Sequence, residues 1–224
     1  MPGKTSLKDN SSLKNRTNGK NLVRRFGILE IPRRFAAIGA DPLDELAYVR
    51  RTSVITNPDG SAVFKMEDVE VPESWSQLAT DIIASKYFRK AGVPSTGQEK
   101  SARQVVYRVA HTIRTAAERL GGYFHNKEEA DTFEAELTHL LVNQKGAFNS
   151  PVWFNCGLWH EYKISGGGGN FYWNPGTGEI KETKDSYSHP QGSACLIQSV
   201  EDDLMSTFNL ARSDARLFKY GSGP

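Results

Sequence analysis

The two cysteines are the residues of this 224-residue chain best suited to covalent or redox chemistry. Cys195 closes the run His189-Pro-Gln-Gly-Ser-Ala-Cys195, directly after the small residues Ser193 and Ala194. Small neighbours leave room for a ligand against the backbone. A thiol there acts as reductant or nucleophile if it is accessible and its thiolate is favoured. Spacing alone supports a simpler reading, a small buried hydrophobe. Cys156 sits beside aromatics and Gly157, and packing is the simpler account there as well. Two isolated cysteines build neither a disulfide scaffold nor a four-ligand zinc site. The five histidines, His111, His125, His139, His160 and His189, include no pair at metal-ligand helical spacing with a carboxylate, so no metal site is expected. His160 and Glu161 follow Cys156 closely, but closeness in sequence is a weak guide to a thiol–imidazole pair.

Other residues suggest binding. Asn149-Ser150-Pro151 offers a hydroxyl and backbone amides that suit an anion such as a nucleotide phosphate, and a plain turn explains it equally well. Asp202 and Asp203 fall in the first turn of an expected helix, where a carboxylate complements the helix dipole whatever else it does. The run Gly166-Gly-Gly-Gly169 and the terminal Gly221-Ser-Gly223 invite a phosphate-loop reading. Neither is followed by Lys-Ser/Thr, so a flexible turn is preferred for residues 166–169.

The elements that must position these residues change in character along the chain. Residues 1–25 carry Lys4, Lys8, Lys14, Arg16, Lys20, Arg24 and Arg25 against the single acid Asp9, with few apolar residues, so a disordered basic tail is expected. Contact of this tail with nucleic acid is the less favoured reading. Residues 26–71 read as a small β element, in which Asn57-Pro-Asp-Gly60 turns a hairpin between two β-prone runs. Residues 72–146 read as a helical domain. Its first helix is capped by Ser74 and turns Trp75, Leu78, Ala79, Ile82, Ile83 and Phe88 inward. The second opens on the capping box Ser101-x-x-Gln104, buries Val106, Val109, Ala110, Ile113, Ala117 and Leu120, and stops at Gly121-Gly122. The third spans about residues 127–145, capped by Asn126 and Glu129, with Phe133, Leu137, Leu140 and Leu141 as its apolar stripe. From residue 147 onward, aromatics and glycines lead into a hairpin insertion or functional loop. A short buried strand over residues 193–197 and a helix from Ser199 to about Phe218 follow.

Composition places the chain among ordinary globular proteins, with 38% hydrophobic and 24% charged residues. The net charge of +2 comes from 28 basic residues against 26 acidic ones and implies no polyanionic partner. No window holds 18 consecutive apolar residues and the amino terminus has no apolar h-region, so no membrane partner is expected and a cytoplasmic location is.

Five ordered blocks together are more specific than any single motif. They are Val71-Pro-Glu-Ser-Trp-Ser-Gln-Leu-Ala-Thr-Asp81, Lys86-Tyr-Phe-Arg-Lys-Ala-Gly-Val-Pro94, Ala147-Phe-Asn-Ser-Pro-Val-Trp-Phe-Asn155, His189-Pro-Gln-Gly-Ser-Ala-Cys195 and Leu217-Phe-Lys-Tyr-Gly-Ser-Gly223. In this order they closely resemble the vitamin-B12-dependent (class II) ribonucleoside-diphosphate reductases, over roughly residues 26–223. The resemblance implies an α/β fold overall. The small β element and helical domain would precede the first strand–helix unit of a ten-stranded α/β barrel that begins at residue 147 and is incomplete here. It implies an oxidoreductase that uses adenosylcobalamin and thiyl-radical chemistry to convert ribonucleoside diphosphates to deoxyribonucleotides. Cys195 matches the first of the two reducing thiols, Ser150 a substrate-binding hydroxyl, Ala194 a main-chain contact to substrate, and Asp202 a residue binding a deoxynucleoside triphosphate effector. The implied partners are a thioredoxin-type reductant and a second copy in a homodimer.

Family members continue Gly-Ser-Gly-Thr-Gly into most of the barrel, whereas Pro224 stands here in place of that threonine. The thiyl cysteine, the second reducing thiol and most cobalamin contacts are therefore expected outside this chain. On its own the chain is expected to be inactive, as a truncated product or as one piece of a split enzyme that needs a complementing polypeptide. The rival readings are a non-catalytic nucleotide-binding or dimerising fragment and, more distantly, a free-standing thiol enzyme.

Overall fold

The computed structural model describes residues 30–219, so the expected basic tail and the terminal Gly-Ser-Gly lie outside the described residues. Strands β1 (Tyr48–Thr56) and β2 (Ala62–Pro72) pair antiparallel from Tyr48↔Pro72 to Thr56↔Ala62, as the turn signal requires. In the turn, the Asn57 and Gly60 carbonyl-to-amide bond of 2.9 Å closes the loop and Gly60 takes φ +84°. Left-handed backbone of this kind is why glycine belongs there. The register slips between Arg51/Ser53, where β2 holds one residue more than β1, and Asp68 in that bulge has φ +56°.

The first helix differs from expectation. It is α1 (Gln77–Ile82), capped by Ser76 rather than Ser74, with the Ser76 hydroxyl accepting from the Ala79 amide at 3.1 Å. Strand β2 runs on to Pro72, and the Trp75 amide donates to the Pro72 carbonyl in a turn, which consumes the residues expected to open the helix. A π-helical turn (Ile83–Tyr87) continues α1. Its wider winding shifts the helical phase, so Ile83, Ala84 and Phe88 face the core while Leu78 and Ile82 are exposed.

Helix α2 (Ala102–Leu120) starts on the expected capping box, Ser101 with Gln104, and ends at Gly121 with φ +75°. Val106, Val109 and Ala110 are buried as expected, whereas Leu120 in the last turn is exposed. Helix α3 (Lys127–Val142) is capped by Asn126, whose side chain accepts from the Glu129 amide at 2.9 Å. Leu141 is buried and Phe133, Leu137 and Leu140 are half-buried. Helix α2 serves two cores. Val105 joins Met66, Val69, Val71, Trp75, Ile83 and Phe88, while Val106 and Val109 join Leu43, Leu141 and Val142. The Trp75 indole N–H crosses between them to the Val142 carbonyl at 2.8 Å, satisfying a polar atom that burial would otherwise strand.

The segment before β1 is held by one carboxylate. Glu136 on α3 accepts from the backbone amides of Arg34, Phe35 and Ala36, each at 2.9 Å. Burial works to raise the Glu136 carboxyl, and these amides more than reverse it, leaving it below the usual carboxylate range. The Arg33 guanidinium adds a bond to Thr132 Oγ1 at 2.9 Å, and the Phe35 ring stacks on His139 at 5.0 Å.

Beyond α3 come α4 (Ser150–Asn155), α5 (Leu158–Tyr162), an antiparallel hairpin of β3 (Phe171–Asn174) and β4 (Glu179–Glu182), and α6 (Leu204–Lys219). The described residues thus form a mixed α and β fold with two small two-stranded sheets. The aromatic, glycine-rich stretch contains the hairpin that its length suggested.

Three expectations fail in this region. Residues 193–197 are not a buried strand: they run outside the named strands, Cys195 is exposed and Ile197 is fully exposed. Helix α6 starts at Leu204 rather than Ser199, because Asp203 Oδ1 accepts from the Met205 and Ser206 amides at 2.9 and 3.0 Å and caps it. Asp202 consequently precedes the helix instead of lying in its first turn. None of the residues of α6 is buried.

Candidate functional site

Helix α4 presents Ser150 at its first position, and Pro151 initiates the helix instead of breaking it. A fixed φ and a missing N–H cost nothing in a first turn. The Ser150 hydroxyl lies 3.1 Å from the Tyr87 hydroxyl, and Tyr87 stacks on Phe154 at 5.3 Å. The π-helical turn that carries Tyr87 therefore orients the side chain expected to touch a substrate.

A buried ion pair fixes α4 and α5 against α2. Arg108 and Glu99 are both fully buried, and Arg108 Nε and Nη2 donate to the Glu99 carboxylate at 2.8 and 3.2 Å. Arg108 also donates to the carbonyls of Trp153 and Cys156, at the end of α4. Glu99 further accepts from the Tyr162 hydroxyl at 2.9 Å and the Arg89 amide at 2.7 Å. Burial, then the Glu99 carboxylate, push the Tyr162 phenol far up, so it stays a donor. Gly157 makes this approach feasible. It has φ +84°, and a Cβ on it would sit 2.2 Å from Arg108 Cγ and 2.7 Å from the Arg108 carbonyl oxygen. The sequence reading missed this group, although a charge on the apolar face between Val105 and Val109 was its visible signal.

Cys156 is half-buried, and burial pushes its thiol up to about 11. No hydrogen bond joins it to His160 among the described residues. A thiol held protonated at neutral pH is a packing residue rather than a nucleophile.

The segment leading to Cys195 is held from two sides. Asn155, the last residue of α4, donates to the Gln191 carbonyl at 3.3 Å, and Asn170 donates to the His189 carbonyl at 2.7 Å. The Tyr172 ring stacks on His189 at 3.6 Å. The glycine run packs tightly here: a Cβ on Gly166 would meet Ser186 Oγ at 2.3 Å, and one on Gly168 the Thr183 carbonyl oxygen at 2.9 Å. Gly167 between them faces open space, so the run is close-packed at Gly166 and Gly168. Together with Asn155, Asn170, Tyr187, Gln191 and Phe218, it lines a cleft of about 380 Å³. A second cleft of about 360 Å³ lies at the start of α6, lined by Ser199, Asp203 and Ser206 among others, with Asp202 not part of its lining. Ala194 is half-buried beside Cys195. The structure thus brings Ser150 and the Cys195 segment onto one support through α4 and places Asp202 apart, before α6. Among the described residues no group of three or more His, Cys, Asp or Glu side chains could hold a metal ion, and no helix is long and apolar enough to cross a membrane.

Comparison with known proteins points to one family. Residues 49–144 match the family model described as class II vitamin B12-dependent ribonucleotide reductase. The chain is 42% identical over 231 aligned positions to the vitamin B12-dependent ribonucleotide reductase of Agrobacterium fabrum, covering 87% of this chain and 18% of that protein. The same identity holds over 185 positions with the Rhodopirellula baltica protein of that name, and the Streptomyces coelicolor one is 36% identical over 197. Residues 49–144 are thus similar to the class II vitamin B12-dependent ribonucleotide reductases, and the similarity to curated relatives extends over most of the chain. The chain spans about 18% of the length of these relatives.

Proposed function

We propose that this chain is the amino-terminal part of an adenosylcobalamin-dependent ribonucleotide reductase acting on ribonucleoside diphosphates, and that Cys195 is one of its two reducing thiols. The observation that carries the reading is the identity of 42% over 87% of the chain, combined with an exposed thiol at the motif position on a segment anchored to α4. In the step assigned to it, Cys195 and a second thiol together give two electrons and two protons. The ribose 2′ hydroxyl leaves as water, the 2′ carbon gains hydrogen, and the two sulfurs join as a disulfide. Ser150, oriented by Tyr87, hydrogen-bonds the substrate, and the Ala194 main chain borders it. Asp202 contacts a deoxynucleoside triphosphate effector at a homodimer interface, and a thioredoxin-type reductant reopens the disulfide.

Neither cleft described above fits a corrinoid. They hold about 360 and 380 Å³, the small end of ligand sites, and a corrinoid with its nucleotide arm is far bulkier. No step is therefore routed through the cofactor on these residues. The second thiol, the thiyl cysteine and the cofactor contacts are assigned to the portion of the relatives that this chain does not match, on the same or a complementing polypeptide.

The test is a chimera in which this chain replaces the matching segment of the Agrobacterium fabrum relative, assayed for deoxyribonucleotide formation with adenosylcobalamin, a dithiol reductant and either ribonucleoside diphosphates or triphosphates. Activity on diphosphates that Cys195→Ser abolishes under multiple turnover is the expected result. A fully active Cys195→Ser chimera refutes the assignment, and activity confined to triphosphates refutes the substrate class.

A further inference from the structure

The structure assigns Asn170 and Asn155 as positioning residues that hold the Cys195 segment by its backbone carbonyls. The inference rests on the reductase reading for what the thiol does, but the clamp itself stands on geometry. Residues 189–195 carry chemistry that requires a fixed thiol, and among the described residues they lie outside the named strands, with Cys195 in an isolated bridge. Two side-chain amides hold the residues leading up to it. Asn170, directly before β3, donates to the His189 carbonyl at 2.7 Å, and Asn155 donates to the Gln191 carbonyl at 3.3 Å. Both asparagines are more than nine-tenths buried, where side-chain amides are retained only for the bonds they make.

The geometry also fixes which half of Asn170 works. Turning its amide over would set an oxygen against the His189 carbonyl oxygen, so the donor must face the segment. Its own Oδ1 is buried and accepts no hydrogen bond among the described residues, an unfavourable arrangement tolerated for the donor's sake. The Tyr172 ring, two residues on, stacks on His189 and closes the clamp from the hairpin side. The β3–β4 hairpin is therefore the support that aligns the segment, and Asn155 ties that alignment to the helix bearing Ser150.

Asn170→Asp and Asn155→Asp keep side-chain shape and remove the donor. In the chain itself the readout is the NMR shift of the His189 ring protons, displaced by the Tyr172 ring above them. Asn170→Asp is expected to bring that shift at least halfway to the value of an unstacked histidine, with α2 resonances unmoved. In the chimera, each variant is expected to lower kcat about tenfold, the scale of one lost buried hydrogen bond, with KM for ribonucleoside diphosphate within about twofold. An unchanged His189 shift overturns the clamp. So does a shift change shared with α2, which would mean general unfolding. An unchanged kcat in both variants overturns the positioning role. A wild-type chimera without activity counts against the reductase reading, and the His189 shift then decides the clamp alone.

Discussion

Removing the Glu99 charge tests the claim that one buried ion pair holds α4 and α5 on α2. Glu99→Gln leaves side-chain volume almost unchanged and strands the Arg108 guanidinium, fully buried, against a neutral amide. Breaking a buried pair from one side costs about 3–5 kcal/mol, most of it the uncompensated charge. Arg108→Met removes the charge but frees the Glu99 carboxylate and the carbonyls of Trp153 and Cys156, and its cost is also about 3–5 kcal/mol. The double variant leaves no buried charge, so it should cost about 2–3 kcal/mol less than the two singles summed. It should not become more stable than the wild type. Arg108 also satisfies two backbone carbonyls, which methionine cannot serve, and Glu99 accepts from the Tyr162 hydroxyl and the Arg89 amide through different oxygens, of which glutamine keeps only one acceptor. The assay is urea unfolding of all four proteins, followed by tryptophan fluorescence, since Trp75 is buried and Trp153 packs beside both cores. Additive costs, with a coupling under about 0.5 kcal/mol, would refute the reasoning, as would a double variant more stable than the wild type.

Acid should undock the segment before β1. The Glu136 carboxyl lies below its ordinary 4.5, so the stability it contributes is fully present above that pH and is lost as pH falls through its folded-state value. Protection of the amides of residues 34–36, corrected for the intrinsic exchange rate, should therefore fall as pH drops from 4.5 through the folded-state value, and Glu136→Gln should lower it at neutral pH. Unchanged protection in both cases would sink the account. The two cysteines should separate by reactivity: at pH 8 a thiol near 11 is only about 0.1% thiolate, so a disulfide reagent should titrate exposed Cys195 first and reach Cys156 only after unfolding. Equal rates for both would contradict the burial of Cys156.

Much of the fold was legible because local chemistry decided it. The Asn-Pro-Asp-Gly turn, the Ser101/Gln104 capping box, the Gly121 stop and the Asn126 cap each act within a few residues, and each appears where the sequence places it. The first helix was misread because its phase is set by the π-helical turn, which periodicity at 3.6 residues cannot register. The run over residues 193–197 was misread as a buried strand because an apolar run does not by itself fix burial, and Cys195 and Ile197 are exposed. In the site, motif order pointed to Ser150 and Cys195. The residues that arrange them, Tyr87, Asn155 and Asn170, were silent because an asparagine or tyrosine acting across long separations has no periodic signature. Gly166 and Gly168 read as loose and prove tight, since the Ser186 and Tyr187 side chains exclude a Cβ at the first and the backbone of Thr183 and Lys184 excludes one at the second.

Helix α4 is short enough to work as a ruler. Ser150 stands at one end and Asn155 grips the Cys195 segment from the other, five residues of helical rise or about 7.5 Å apart. Insertion or loss of a single residue between them would turn one end about 100° relative to the other, so the hydroxyl and the thiol segment could no longer face the same molecule. The spacing between Ser150 and Asn155 should therefore resist length change more strictly than it resists change of the residues in between.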